Sequence, residues 1–116
     1  MQDLALQAAG ALAIVVALVH GVIAERRVFP GAHIEPAWTR RLLRMVWQAS
    51  TVDWVVVGVL LIAAPGLGSP TARQWIVGAA VVIYGCAAAG NAMATRGRHI
   101  GWVLMAVVVA LALAGL

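Results

Sequence analysis

The sequence predicts an all-α integral membrane protein, a single bundle of four transmembrane helices, and three observations carry that prediction. Apolar residues make up 64% of the 116 and charged residues 10%, whereas a soluble domain is about half apolar and a quarter charged. A water-soluble chain of this size has too much surface for so few charges. The apolar residues also fall into four runs, each near the ~20 residues that cross the hydrocarbon core as a helix. None of these runs alternates as a barrel strand does, and a helix satisfies its own backbone hydrogen bonds, as lipid demands. The length leaves room for one domain, residues 1–116.

Taken in order, the first helix is expected over 4–24. The "VIA" before Glu25 resembles a signal-cleavage site, but the run lacks a positively charged start and its apolar region is too long. It therefore reads as a retained helix. Segment 25–44, "ERRVFPGAHIEPAWTRRLLR", is expected to be a loop, because Pro30, Gly31 and Pro36 interrupt a continuous helix. Its last part, Trp38 with Arg40, Arg41 and Arg44, suits the headgroup level and leads into the second helix, 45–64. That helix closes in "APGLGSP", whose prolines and glycines are turn chemistry. The third helix is expected over 75–92. The fourth apolar run, 100–116, is at the short limit for a crossing, so the helix is expected either to start at His99, giving 99–116, or to stand nearly upright. Trp75 and Trp102 near their helix starts read as interfacial anchors.

Charge placement gives an orientation. The formal net charge is +4, and all the basic residues besides histidine are arginine. Spread over a soluble chain they would suit nucleic acid. Confined to the gaps between apolar runs, they suit topology and anionic headgroups instead, so lipid and not nucleic acid is the expected partner. The loops after the first and third helices hold Arg26, Arg27, Arg40, Arg41, Arg44, Arg96 and Arg98, and the opposite side holds only Arg73. This bias puts both loops in the cytoplasm and both termini outside, periplasmic for a bacterial inner membrane. Cys86 lies in an apolar run without a partner and reads as a small buried side chain.

The polar residues can be placed by depth. Counting ~1.5 Å per residue, Asp53 lies about 2 Å from its helix midpoint, with Tyr84 near the centre of the third helix. His20, Gln48 and Asn91 lie roughly 9–11 Å toward the cytoplasmic end, and Ser50 between the two levels. On the first helix Ala9, Ala13, Ala17 and His20 share one side, followed by Ala24, and small residues allow close helix approach. Trp47, Thr51, Trp54 and Gly58 form a stripe on the second, flanked by Ser50 and Asp53. Gly78, Gly85, Ala89 and Ala92 form another on the third. An ionised carboxylate at mid-membrane costs ~3 kcal/mol or more, so Asp53 must be protonated, paired or hydrated. His20, Tyr84, Gln48 and Ser50 are its expected partners. Burial favours the neutral forms of Asp53 and His20, and pairing the charged ones.

Metal ligation would draw on His20, His33 and His99 with Glu25 and Glu35 nearby. One histidine per segment is not a ligand cluster. A bis-histidine haem would pair His20 with His99, which sit at different depths. No cofactor is expected. No nucleophile–base pair or phosphate-binding glycine loop appears, so the chain does not read as an enzyme.

The segments "HGVIAERR", "RMVWQASTVDW" and "TRGRHIGWVL" together resemble a group of small, uncharacterised bacterial four-helix membrane proteins. The resemblance spans most of the chain. It implies the fold and marks His20, Glu25, Trp47 and Gln48; it implies no activity, and Asp53 lies outside the pattern. Small four-helix multidrug exporters match in size only, since their coupling carboxylate lies in the first helix. Two functions are therefore expected to compete. One is a cytoplasm-facing polar pocket built on Asp53, His20, Gln48, Ser50, Tyr84, Asn91 and Glu25, binding or moving a small cation, proton or amphiphile, with two copies needed to enclose it. The other is an accessory or scaffold subunit of a membrane complex, with these residues holding helices together. A haem-bearing redox subunit is the third and weakest reading.

Overall fold

Three of the four apolar runs become helical stretches longer than their hydropathy alone indicates, and the fourth becomes a shorter one. The computed structural model describes residues 1–116 and is helical with no strand: α1 (Gln2–Ile23), a π-helical turn (Ala24–Val28), the single turn α2 (Phe29–Gly31), α3 (Ala37–Ala63), a 3₁₀ turn (Ala64–Leu67), α4 (Pro70–Thr95) and α5 (Gly101–Ala114). Three continuous helical stretches, Gln2–Gly31, Ala37–Leu67 and Pro70–Thr95, are long and apolar enough to cross a membrane. The fourth helix, α5, is apolar but has 14 residues, about 21 Å of rise.

Each boundary that differs from expectation has a local cause. The first helix does not break at residue 25. Its hydrogen bonding widens into a π turn, and the chain leaves the helix only after Pro30 and Gly31, where Ala32 is extended. The second helix starts at Ala37, eight residues early, because the breakers end at Pro36 and the following "AWTRRLLR" is made largely of good helix formers. Ser69 caps α4 by accepting from the Ala72 N–H at 3.2 Å, with Pro70 in the first turn where its missing N–H costs nothing. Arg96 and Gly97 end that helix in the left-handed region, at φ 52° and 72°. The Gly97 N–H donates to the Ala92 carbonyl at 2.8 Å, a C-terminal cap of the Schellman type. The fourth helix begins two residues late because His99 Nδ1 accepts from the Gly101 N–H.

The tightest seam joins α1 to α3. A Cβ on Gly10 would collide with the Gly58 carbonyl, and one on Gly58 would lie 2.9 Å from the Gly10 carbonyl. Here backbone meets backbone, which only glycine allows. α5 lies against both α1 and α4, while α3 and α4 touch more lightly. Ala9, Ala13, Ala17 and Ala24 are fully buried, as the small-residue face of α1 predicts. The predicted stripe on α4 is not its packing face: Gly78 is exposed, and α4 buries Val77, Ala80, Tyr84 and Ala88 instead. Cys86, two residues from Tyr84 and from Ala88, consequently points outward. Only 21 of 116 residues are buried, and none of these is charged. Val15, Leu18, Val52, Val56 and Val82 all lie at least half exposed, so the bundle presents an apolar exterior that lipid would cover.

At the end carrying both termini, Arg73 Nε donates to the Gly115 carbonyl at 2.8 Å. Its Nη2 lies 2.8 Å from Asp3 Oδ1, an ion pair bent away from hydrogen-bond geometry. This clasp joins α1, α4 and the C-terminus. The remaining arginines lie at the opposite end.

Candidate functional site

Toward the arginine-rich end, α1 and α3 enclose a layer of aromatic and polar groups around His20. The His20 ring is stacked between two indoles, Trp47 at 4.7 Å and 13°, and Trp54 at 4.5 Å and 29°. Seven residues separate these tryptophans, close to two helical turns, so both project from one face of α3. Ser50, between them, donates to the Trp47 carbonyl at 2.6 Å. Its oxygen is then free to accept from His20 Nε2 at 3.3 Å, which places the imidazole proton on Nε2. Trp47 Nε1 donates to the His20 carbonyl at 3.2 Å, locking the two helices a second time. Phe29 closes the layer edge-on against Trp47, and Arg40 donates to the Phe29 carbonyl at 2.7 Å.

One turn farther out, Gln48 Nε2 donates to the Gly21 carbonyl at 3.2 Å and to Glu25 Oε1 at 2.9 Å. Gly21 makes this possible, since a Cβ there would lie 2.9 Å from Thr51 Cγ2 and 3.1 Å from Gln48 Oε1. Arg44 Nε donates to Glu25 Oε1 at 3.0 Å, and its other arm pairs with Oε2. The carboxylate is thus fully engaged by one arginine fork and one amide.

Deeper in the bundle Tyr84 is buried beside Trp54, with ring centroids 5.3 Å apart. Its hydroxyl is shared between the Ala13 and Trp54 carbonyls, 3.2 Å from each. One phenol therefore marks the same level on α1, α3 and α4, and that level is the middle of α1. Asp53, adjacent to Trp54 in sequence, lies at that depth.

The predicted site residues divide. The structure brings His20, Ser50, Gln48 and Glu25 together, adds Tyr84 one layer deeper, and leaves Asp53 and Asn91 apart. Asp53 is exposed. It joins neither ion pair of the chain, and none of its expected partners, His20, Ser50, Gln48 or Tyr84, hydrogen-bonds to it. Helical geometry explains the separation. At 100° per residue, Ser50 lies about 70° from the centre of the Trp47–Thr51–Trp54–Gly58 stripe and Asp53 about 130°. Ser50 still reaches α1, whereas Asp53 turns outward. Asn91 is half-buried with no donor to its side-chain oxygen, and its carbonyl accepts from Thr95.

His99 is occupied with its own helix start and His20 with Ser50, so the two are not paired. No group of three His, Cys, Asp or Glu side chains is placed to hold a metal ion. Among the anchors, Trp38 and Trp75 are exposed, Trp102 Nε1 donates to the Gly97 carbonyl, and Arg41 is exposed. Trp47, Trp54, Phe29 and Arg44 are participants that the predicted pocket left out, and for the two tryptophans their seven-residue spacing was the available signal. No family model, curated protein or solved structure matches the chain, and its chemistry rests on these residues alone.

Proposed function

We propose that this chain is a non-enzymatic accessory subunit of the membrane that docks another transmembrane chain through α3, with Asp53 at the contact. The observation that carries the proposal is a contrast at one depth. Tyr84 is satisfied inside the chain, whereas Asp53, level with it, is exposed and unpaired. A charged carboxylate facing hydrocarbon costs ~3 kcal/mol or more; a partner helix carrying a basic or hydrogen-bonding side chain removes that cost. The arginines of this chain all lie toward the bundle ends, so a second copy would bring no arginine to this depth. A hetero-complex therefore fits better than a homodimer.

A cation- or proton-coupled pocket would need Asp53 beside His20, and the two lie on different faces. The carboxylate at the arginine-rich end of α1, Glu25, is already held by Arg44 and Gln48. In the proposed topology α5 crosses with the three longer helices. The seven-arginine end is cytoplasmic and both termini are periplasmic, in a bacterial inner membrane.

The test extracts the chain from its native membrane in polymer discs and measures particle mass. The wild type should run as a complex larger than one chain. Asp53→Leu should run as a monomer with unchanged melting. A monomeric wild type, or an Asp53→Leu variant that keeps its partner, would overturn the proposal.

A further inference from the structure

Between α1 and α3, beside the Gln48–Glu25–Arg44 group, a lateral depression of about 390 Å³ opens onto the outside of the bundle. Its lining changes along the axis. Leu18 and Val22, each more than half exposed, form the deep part. Gly21 sits at mid-length, where α3 comes so close that a side chain would not fit. Glu25, Arg26 and Gln48 form the mouth.

The polar groups of the mouth are mostly committed. Gln48 donates to Gly21 and Glu25. Both Glu25 oxygens are engaged, one by Arg44 and Gln48 and the other by Arg44. Arg26 is exposed and belongs to neither ion pair. The uncommitted group at the mouth is therefore a cation standing over an apolar trough. From Leu18 to Arg26 the rise is about 12 Å, which is most of one leaflet's ~15 Å of hydrocarbon.

We infer that this groove seats one acyl chain of an anionic phospholipid, with the headgroup phosphate on Arg26. A zwitterionic choline headgroup would bring a quaternary ammonium to the same arginine and lose the advantage. The site is separate from Asp53, which lies about 140° around α3 from Gln48, so it stands or falls independently of the docking proposal.

The experiment uses the full chain taken from vesicles of equal phosphatidylglycerol and phosphatidylcholine, with retained lipid counted by native mass spectrometry. One phosphatidylglycerol per chain should be retained over phosphatidylcholine by about fivefold, the ratio equivalent to ~1 kcal/mol for one arginine at an anionic surface. Arg26→Gln should bring the ratio near unity. Arg27→Gln removes a neighbouring exposed charge that does not line the groove and should leave the ratio unchanged. Val22→Trp, which fills the trough from an exposed position, should release both lipids without altering helix content. Four results would each overturn the inference: equal retention of the two lipids by the wild type; equal loss in both arginine variants, meaning diffuse surface charge; retention unaffected by Val22→Trp; or displacement by millimolar inorganic phosphate, meaning an anion site without an acyl chain.

Discussion

Adding one methyl group at Gly58 should destabilise the bundle, while the same change at Gly78 should not. The Gly58 Cβ would lie 2.7 Å from Ile14 Cγ1, 2.9 Å from the Gly10 carbonyl and 3.3 Å from Ala13 Cβ. Ile14 can rotate, but the Gly10 carbonyl is backbone inside a helix. Restoring ordinary contact at 3.4 Å means moving α1 away by 3.4 − 2.9 = 0.5 Å. A gap of this size forfeits roughly a quarter of the dispersion attraction along the seam, and overpacked sites typically lose ~1–3 kcal/mol. Alanine returns up to ~1 kcal/mol through helix propensity. With the full propensity return the net loss for Gly58→Ala is then about 0–2 kcal/mol, against a gain of up to ~1 kcal/mol where no overlap exists. At Gly78 an added Cβ meets nothing within 4 Å, so only the propensity gain remains. Unfolding in mixed micelles, followed by circular dichroism, gives both values in one experiment. Equal destabilisation by the two substitutions would refute the reasoning, because it would place the interface on the glycine stripe of α4.

Three further outcomes follow from the same contacts. Tyr84→Phe keeps the ring and removes the shared hydroxyl, and should cost ~0.6–1.7 kcal/mol by the same unfolding measurement, the range of buried hydrogen bonds between membrane helices. Trp54→Ala removes the ring lying against both His20 and Tyr84 and should cost roughly 3 kcal/mol; a loss below that of Tyr84→Phe would mean the aromatic stack contributes nothing. Arg73→Gln opens a partly exposed clasp, so global stability should fall by less than about 1 kcal/mol. Hydrogen exchange should nonetheless rise at both chain ends together, and protection of either end alone would separate the two contacts.

The membrane class, the helix count and the small-residue face of α1 were legible because each depends on many residues acting alike. Helix ends were less legible. The early start of α3 needed the observation that Pro36 is the last breaker, after which arginine and leucine continue a helix as readily as valine does. The site was half legible. His20 and Gln48 were placed together because their depths agree, with Ser50 a little deeper, and depth follows from a simple count along each helix. Asp53 agreed in depth with Tyr84 but not in azimuth, and a residue about 130° from a packing stripe cannot share its pocket. The α4 stripe failed for a related reason: small residues permit close approach without requiring it, and nothing in sequence says which side a neighbour takes.

A bundle with so few buried residues can place polar groups in only two ways, and this chain uses both. Where its helices meet, three polar side chains find a backbone carbonyl or another side chain: His20 with Ser50, Gln48 with Gly21, Tyr84 with Ala13. These bonds fix α1 against α3 and α4 and engage most of the polar groups there. On the outside, lipid offers no partner to a carboxylate, and this cost is the ground for proposing a second chain at Asp53. The interior contacts supply rigidity, and the two interactions proposed above both lie on the exterior, with Asp53 at mid-depth and Arg26 at the rim. Replacing the inner polar layer should therefore change how firmly the bundle stands, while replacing those two outer residues should change what stands beside it.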